Sequence, residues 1–275
     1  MTKGAVTKIG ATTKIVRSRE WAFPPPPVRR EVLHASPEVN EGRPPVLFVP
    51  GFGHGAWVFA EHWLERTAAR GFPAYAMSLR GHGRSGDAPK TGLRAYVHDV
   101  VQVAASLPRQ AVLVGHGAAG LVVARALARY PARAGVLVSP VLGGWRMAAG
   151  VSLRNPGTLG PALFGRALRP RRGQLFSKEL PSSVARGYAS RLGRPSRRAQ
   201  WQLLLAGTPE RPVGEPPVLV VGSPHDKLVP QSVLDRAASW YGGAALPFPG
   251  MGHDLMLDAR WTEPIDAILD WLDKD

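Results

Sequence analysis

An aspartate and a histidine in the C-terminal third of the chain could form an acid–base pair. Asp226 follows the apolar run PVLVVG (217–222), and His253 lies in the loop FPGMGHDLMLD (248–258), ahead of the last predicted helix. A neutral histidine oriented by a carboxylate can accept and release a proton near neutral pH. We therefore treat Asp226 and His253 as candidate catalytic residues, with stabilisation of the two loops as the alternative role.

Two glycine-rich turns add further candidates. The stretch PGFGHGAW (50–57) follows one apolar run, and VLVGHGAAG (112–120) contains another run followed by a turn and a small-residue helix start. Backbone N–H groups in such turns can face a ligand. For His54 we weigh a substrate contact against a structural role, and for His116 we favour a packed, hydrogen-bonded side chain.

Residue types that are absent limit the chemistry. The chain has no cysteine, which excludes disulfides, thiolate metal ligands and a cysteine nucleophile. The eight histidines are scattered, with no pair at ligand spacing on one predicted helix beside carboxylates. We therefore expect no metal site and no cofactor.

The elements that would position these groups alternate along the chain. Short runs that are apolar on both faces predict buried parallel strands, and amphipathic stretches between them predict helices. This alternation predicts an α/β fold with a doubly wound, mostly parallel sheet. The predicted strands are 30–36, 46–50, 74–78, 111–115, 135–139 and 217–222, and the predicted helices are Trp57–Arg70, Leu93–Leu107, Ala118–Tyr130, Gln231–Trp240 and Trp261–Leu272.

The alternation breaks between residues 143 and 214, where amphipathic pieces occur without a convincing strand. An insertion after a core strand predicts a helical cap over the carboxyl edge of the sheet, where open α/β sheets bind ligands. We therefore divide the chain into a basic, proline-rich arm with the first strand region (1–45), a core (46–142 and 215–275) and the cap (143–214).

With these elements in place, the chain resembles the α/β-hydrolase fold family of the lipase, esterase and lysophospholipase-like kind over about residues 45–275. The resemblance rests on PGFGHGAW, LRGHGRS (79–85), the turn in VLVGHGAAG, GSPHDKLVP (222–230) and GHDLMLD (252–258), all in the family's order. It implies a helical cap, a carboxylic-ester substrate and a catalytic triad in the order nucleophile, acid, histidine.

Carried over residue by residue, the triad positions fall on Gly117, Asp226 and His253. The family's oxyanion-hole N–H groups fall on Phe52 and Ala118. Gly117 departs from the family pattern, because a serine supplies the attacking oxygen there and glycine has no side chain. Ser78, Ser85 and Ser139 lie on neighbouring segments, and none replaces a side chain directed from this turn.

Three functions remain open at this stage. His253 and Asp226 could activate a water for direct hydrolysis, with the N–H groups of Phe52 and Ala118 stabilising the oxyanion. The same pocket could support lyase or cyclisation chemistry, which needs no covalent nucleophile. The protein could also be a pseudoenzyme that binds a hydrophobic or acidic small molecule.

The net charge of +15 is unevenly placed. Residues 143–214 carry thirteen Lys and Arg against two Asp and Glu, whereas the core carries fourteen of each. This excess fits an acyl, lipid-like or anionic ligand and peripheral contact with a membrane, or it is a solvated basic surface. Basic residues without interleaved aromatics argue against nucleic acid, and the missing signal and membrane-span patterns favour a cytoplasmic location.

Overall fold

A seven-stranded sheet forms the centre of the protein. The computed structural model describes residues 23–39, 41–88, 90–144 and 170–274. The sheet order is β1-β3-β2-β4-β5-β6-β7, and every pairing is parallel except that of β1 with β3. The strands are β1 (Val32–Ala35), β2 (Val46–Val49), β3 (Ala74–Met77), β4 (Val112–His116), β5 (Ala134–Val138), β6 (Val218–Gly222) and β7 (Leu246–Pro247).

Helices connect the strands and cover both faces of the sheet. The predicted α/β fold with a mostly parallel sheet is thereby confirmed. The helices are α1 (Trp57–Ala60), α2 (Trp63–Ala69), α3 (Leu93–Ser106), α4 (Ala119–Leu127), α5 (Arg172–Leu175), α6 (Ser182–Ser190), α7 (Arg197–Leu204), α8 (Gln231–Trp240) and α9 (Thr262–Leu272), with a short 3₁₀ helix at Leu255–Leu257.

The hydrophobic core has two layers, one on each face of the sheet. All residues of β2, β4 and β5 are buried, as expected for central parallel strands covered on both faces. Leu47, Leu113 and Leu137 face one layer, while Phe48 and Val114 face the other. The carboxyl ends of these strands therefore project their loops from a rigid base toward one edge.

Two details differ from the sequence prediction. The helix expected over Trp57–Arg70 is divided into α1 and α2, because His62 has a non-helical backbone (φ −144°, ψ −48°). Its ring stacks on Trp261, with centroids 4.5 Å apart. The two-residue strand β7 was not predicted, since a segment of that length carries no periodic signal.

Helices α5, α6 and α7 lie between β5 and β6, within the segment predicted as a cap. Residues 145–169 of that segment and residues 1–22 of the N-terminal arm lie outside the described residues. The proposed division into arm, core and cap therefore stays a prediction.

Candidate active site

A tight turn joins β4 to α4 at Gly117. This residue has φ +53°, in the left-handed region that glycine adopts without steric cost. Its N–H donates to Val138 O (2.9 Å), and its carbonyl accepts from the N–H groups of Val141 (2.8 Å) and Gly120 (2.9 Å). The turn is therefore fixed against the end of β5 by its backbone alone.

Asp226 and His253, which are 27 residues apart in sequence, form a buried pair beside this turn. The Nδ1 atom of His253 lies 2.7 Å from Oδ2 of Asp226. The other carboxylate oxygen of Asp226 accepts from the backbone N–H groups of Leu228 (2.7 Å) and Val229 (3.1 Å). Both oxygens are thus occupied, which fixes the carboxylate and, through it, the imidazole ring.

The second ring nitrogen of His253 points at Gly117. A Cβ atom built on Gly117 would lie 3.0 Å from Nε2 of His253. Within the described part of the chain, no hydrogen-bond partner faces Nε2. Burial lowers the pKa of His253, but the charge and hydrogen bond of Asp226 and the charge of Asp254 outweigh it, so that this pKa is raised. His253 is therefore a basic group with one nitrogen directed at the turn.

The backbone N–H groups of Phe52 and Ala118 lie on the two loops that meet at this turn. Ala118 caps the N-terminus of α4, and Phe52 follows Gly51, whose Cα lies 3.9 Å from the Cβ position built on Gly117. Neither N–H donates to a backbone oxygen in the described ranges. The oxyanion site expected at these two N–H groups stays a prediction.

Two buried acids of the His253 loop were missed by the sequence reading. The side chain of Asp254 accepts from His54 Nε2 (3.0 Å), and Asp258 accepts from the N–H of Gly252 (2.6 Å) and the hydroxyl of Ser177 (2.6 Å). Both acids belong to the stretch GHDLMLD (252–258), where charged residues within an apolar loop were a usable signal. Asp258 anchors the loop to residues that precede α6, and Asp254 connects it to PGFGHGAW.

His54 and His116 both lie inside this cluster. His54 is 4% exposed, and its Nδ1 lies 3.3 Å from Phe52 O while Nε2 faces Asp254. His116 places Nε2 3.3 Å from His253 O, and its Nδ1 has no hydrogen-bond partner among the described residues. Burial lowers the pKa of His116 to about 3, so this ring is neutral. Protein groups thus occupy the polar edge of His54 that a substrate would need.

One ligand atom from each of His116, His253 and Asp254 lies within 4.8 Å of the others, a spacing that could hold a metal ion. Oδ2 of Asp254 and Nδ1 of His253 are already engaged, by His54 and Asp226. Oδ1 of Asp254 and Nδ1 of His116 have no hydrogen-bond partner among the described residues, so a metal ion would compete with the two bonds only if it used the engaged atoms.

The three serines considered as alternative nucleophiles differ in whether their hydroxyl groups make hydrogen bonds. The hydroxyl of Ser78 donates to Glu31 (2.6 Å), and that of Ser85 donates to Ser78 O (2.7 Å). Ser139 is buried, has φ +43°, and its hydroxyl has no partner in the part of the chain that the structure describes. The hydroxyls of Ser78 and Ser85 are therefore committed to their own loops.

In the segment predicted as a cap, some apolar side chains are buried and others are exposed. Phe176 and Leu203 are buried, whereas Trp201 is 45% exposed and Leu205 is 79% exposed. Arg197 and Arg198 lie one turn earlier on the same helix. Part of the apolar set therefore belongs to the core and part faces outward beside basic residues.

A comparison with protein-family models matches residues 46–270 to the alpha/beta hydrolase family. This match spans most of the chain, including both loops of the Asp226–His253 pair. The chain belongs to this family. A comparison with curated proteins finds no match.

Solved structures show the same fold at low sequence identity. The monoacylglycerol lipase of Paleococcus ferrophilus is 22% identical, with a TM-score of 0.66 over 90% of this chain and 98% of the lipase. An esterase from Rhodococcus sp. ECU1013 is also 22% identical (TM-score 0.64, covering 89% and 94%). A bromoperoxidase from Bacillus anthracis is 16% identical (TM-score 0.67, covering 90% and 95%). The family member described here thus shares its architecture with lipases, esterases and bromoperoxidases.

The described helices include none that is both long and apolar enough to span a membrane.

Proposed function

We propose that this alpha/beta hydrolase hydrolyses carboxylic esters by direct attack of water, with His253 as general base and Asp226 as its orienting acid. The observation that carries the proposal is the position of Nε2 of His253, 3.0 Å from where a Cβ atom of Gly117 would be. A serine oxygen would normally occupy this space, and a water oxygen within hydrogen-bond distance of Nε2 would take its place.

The reaction proceeds in two proton transfers. Nε2 of His253 removes a proton from water, and the hydroxide oxygen bonds to the ester carbonyl carbon. The N–H groups of Phe52 and Ala118 donate to the resulting oxyanion. When the tetrahedral intermediate collapses, the C–O bond to the alcohol breaks and the leaving oxygen takes the proton from the His253 imidazolium. The products are a carboxylic acid and an alcohol, and no acyl-enzyme forms.

Slow turnover is expected from this mechanism. Removal of a nucleophilic serine from a triad leaves roughly 10³- to 10⁴-fold acceleration over water, which comes from binding and the oxyanion hole. General-base catalysis by a positioned histidine contributes about 10²- to 10⁴-fold. From these two contributions we expect slow but measurable hydrolysis.

The outward-facing Trp201 and Leu205, together with the arginines of α7, favour an ester with an acyl chain or an anionic group. This substrate class, contact with a lipid surface and a cytoplasmic location all belong to the proposal. A panel of esters that differ in chain length and charge would identify the preferred class.

The decisive experiment measures ester turnover by the natural chain and by His253→Gln. We expect activity in the natural chain that a serine-directed fluorophosphonate does not inhibit, and its loss in His253→Gln. The acid limb of the pH–rate profile should lie above pH 6.5, because only neutral His253 accepts a proton and its pKa is raised.

Gly117→Ser is the matched gain-of-function variant. It should become labelled by the fluorophosphonate once His253 shifts by a few tenths of an ångström to admit the new Cβ. Absence of turnover in the natural chain with every ester would contradict the proposal. A tightly bound small molecule in that inactive protein would instead support a pseudoenzyme, and turnover without release of an acid would support lyase or cyclisation chemistry.

A further inference from the structure

A second histidine–aspartate pair lies directly behind the first. Asp254 has no exposed surface, and its Oδ2 lies 3.0 Å from Nε2 of His54. Its Oδ1 lies 3.4 Å from Nε2 of the neutral His116 and makes no hydrogen bond within the described residues. A carboxylate without access to water is costly unless it is paired, so the bond with His54 is its main compensation.

Three residues of this cluster are close sequence neighbours of groups in the proposed mechanism. His54 is two residues from Phe52, His116 precedes Gly117, and Asp254 follows His253. The contacts of Asp254 therefore connect the loop after β2, the end of β4 and the loop before α9. A change in any of these contacts would move the general base relative to the oxyanion site.

The packing around the cluster leaves little freedom for such movement. The His116 ring lies 5.4 Å from that of His54 and 4.9 Å from that of His253, measured between centroids. A Cβ atom on Gly51 would lie 3.2 Å from Nδ1 of His116. The backbone N–H of Asp254 also donates to Leu175 O (2.9 Å), which fixes the loop from the side of α5.

We propose that Asp254 is a positioning residue that, through His54 and His116, holds the oxyanion loop, the Gly117 turn and His253 in register, and that its buried carboxylate, with an oxygen within 4.8 Å of a His253 ring nitrogen, acts directly on that ring. The mechanistic part of this inference rests on the proposed function. The effect on His253 itself does not, because it can be measured without a substrate.

The titratable side chains around His253 belong to four segments of the chain. Asp226 faces it from the loop after β6, and Asp254 from its own loop. His116 faces it from the end of β4, and His54 acts through its bond to Asp254. Burial raises the pKa of Asp254, but His54, His116 and His253 outweigh this effect and hold it below its usual range. Asp254 is therefore charged wherever His253 titrates, while neutral His116 adds no opposing charge.

The test is an NMR titration of the histidine rings in protein labelled at histidine, with His253→Gln used to assign the signal. Asp254→Asn keeps an oxygen acceptor for His54 but removes the charge. We expect the pKa of His253 to fall by roughly one unit, the size of effect that a nearby buried charge produces. If the pKa of His253 is the same in Asp254→Asn and the natural chain, the proposal is overturned.

Asp258→Asn is the matched control, because Asp258 is a buried acid of the same loop that accepts hydrogen bonds from Gly252 and Ser177. It should lower stability without moving the His253 titration. An equal shift in both variants would mean that general loosening of the loop, and not the charge of Asp254, controls His253, and it would also overturn the proposal.

If Asp254→Asn does not fold, Asp254→Ser replaces it. Serine also removes the carboxylate charge, so the pKa of His253 should fall. An unchanged or raised pKa of His253 in this variant would overturn the inference.

Activity provides the second measurement. Asp254→Asn should lower kcat and move the acid limb of kcat/KM to lower pH, whereas a purely structural role would reduce the amount of folded protein and leave the limb in place. If the natural chain hydrolyses no ester, the proposed function fails, yet the NMR result still decides whether Asp254 controls His253.

Discussion

His253–Asp226 and His54–Asp254 are pairs of the same two residue types in one buried cluster, and they differ in what the second ring nitrogen faces. In the first pair, Nδ1 of His253 faces Asp226 and Nε2 faces a glycine without a side chain. In the second, Nε2 of His54 faces Asp254 and Nδ1 faces Phe52 O. A histidine can serve as a base only where one nitrogen is left for a substrate or water, so only the first pair meets this requirement.

Gly117 is the residue that distinguishes the two pairs. The residue lies opposite the nitrogen left open, and its missing side chain creates the difference between the two pairs. In a serine hydrolase the serine hydroxyl would face Nε2 and both histidines would then have two protein partners. Under the proposed function, this glycine leaves Nε2 of His253 to act on water instead of on a serine hydroxyl.

Asp226→Asn disrupts the first pair, and we expect it to have the largest effect on ester turnover. Asparagine can still accept from Leu228 and Val229 through its oxygen, which turns its NH₂ group toward Nδ1 of His253. That nitrogen must then be unprotonated, so that Nε2 carries the proton and cannot act as a base. We expect ester turnover to fall by about 10³- to 10⁴-fold, by analogy with the same change in a serine protease. The measurement is kcat at the pH optimum, and near-normal kcat would contradict the assignment.

The neutral His116 between the pairs should make the protein sensitive to acid. Its folded-state pKa of about 3 lies below the ordinary value of 6.5, so the unfolded chain binds the additional proton between these values. Stability is therefore present above pH 6.5 and is lost as pH falls, by about 1.4 kcal/mol per pH unit.

The measurement compares urea unfolding of the natural chain and His116→Asn between pH 6.5 and pH 4.5. The advantage of the natural chain at pH 6.5 should shrink by ~2 kcal/mol over this range, because the unfolded histidine is already half protonated at pH 6.5. A difference that does not vary with pH would show that His116 titrates normally.

Replacing Gly117 by alanine should change the free energy of unfolding by less than the two effects above. Comparison with a second glycine separates the cost of the backbone conformation from the cost of the added Cβ atom. Gly117→Ala adds a Cβ in the left-handed region and 3.0 Å from Nε2 of His253, whereas Gly242→Ala adds one at φ +83° with no atom within 4 Å. We expect Gly242→Ala to cost about 1 kcal/mol for the backbone alone. Gly117→Ala should cost about 1 kcal/mol more, because the ring must shift in a packed interior.

Urea unfolding at pH 7 measures both free energies of unfolding. Equal values would indicate that His253 moves away from Gly117 without cost, and the separation between the two pairs would then be less rigid than the structure indicates.

The sequence alone was sufficient for the architecture. Continuous apolar runs such as VLFV and VLVGH are typical of central parallel strands that are buried on both faces, and the order of the motifs placed Asp226 and His253 at the same edge. The absence of a serine at position 117 could also be read directly. These features depend on local residue patterns and on the order of the motifs, and both can be taken directly from the sequence.

The second pair was decided by tertiary structure alone. His54 and Asp254 are 200 residues apart, and no periodicity connects a histidine in one loop to an aspartate in another. They come into contact because the parallel strands bring the loops after β2 and β4 and the loop before α9 together at one edge of the sheet. For the same reason, the sequence could name His253 as a candidate base, but only the packed structure placed its free nitrogen 3.0 Å from the Cβ position of Gly117.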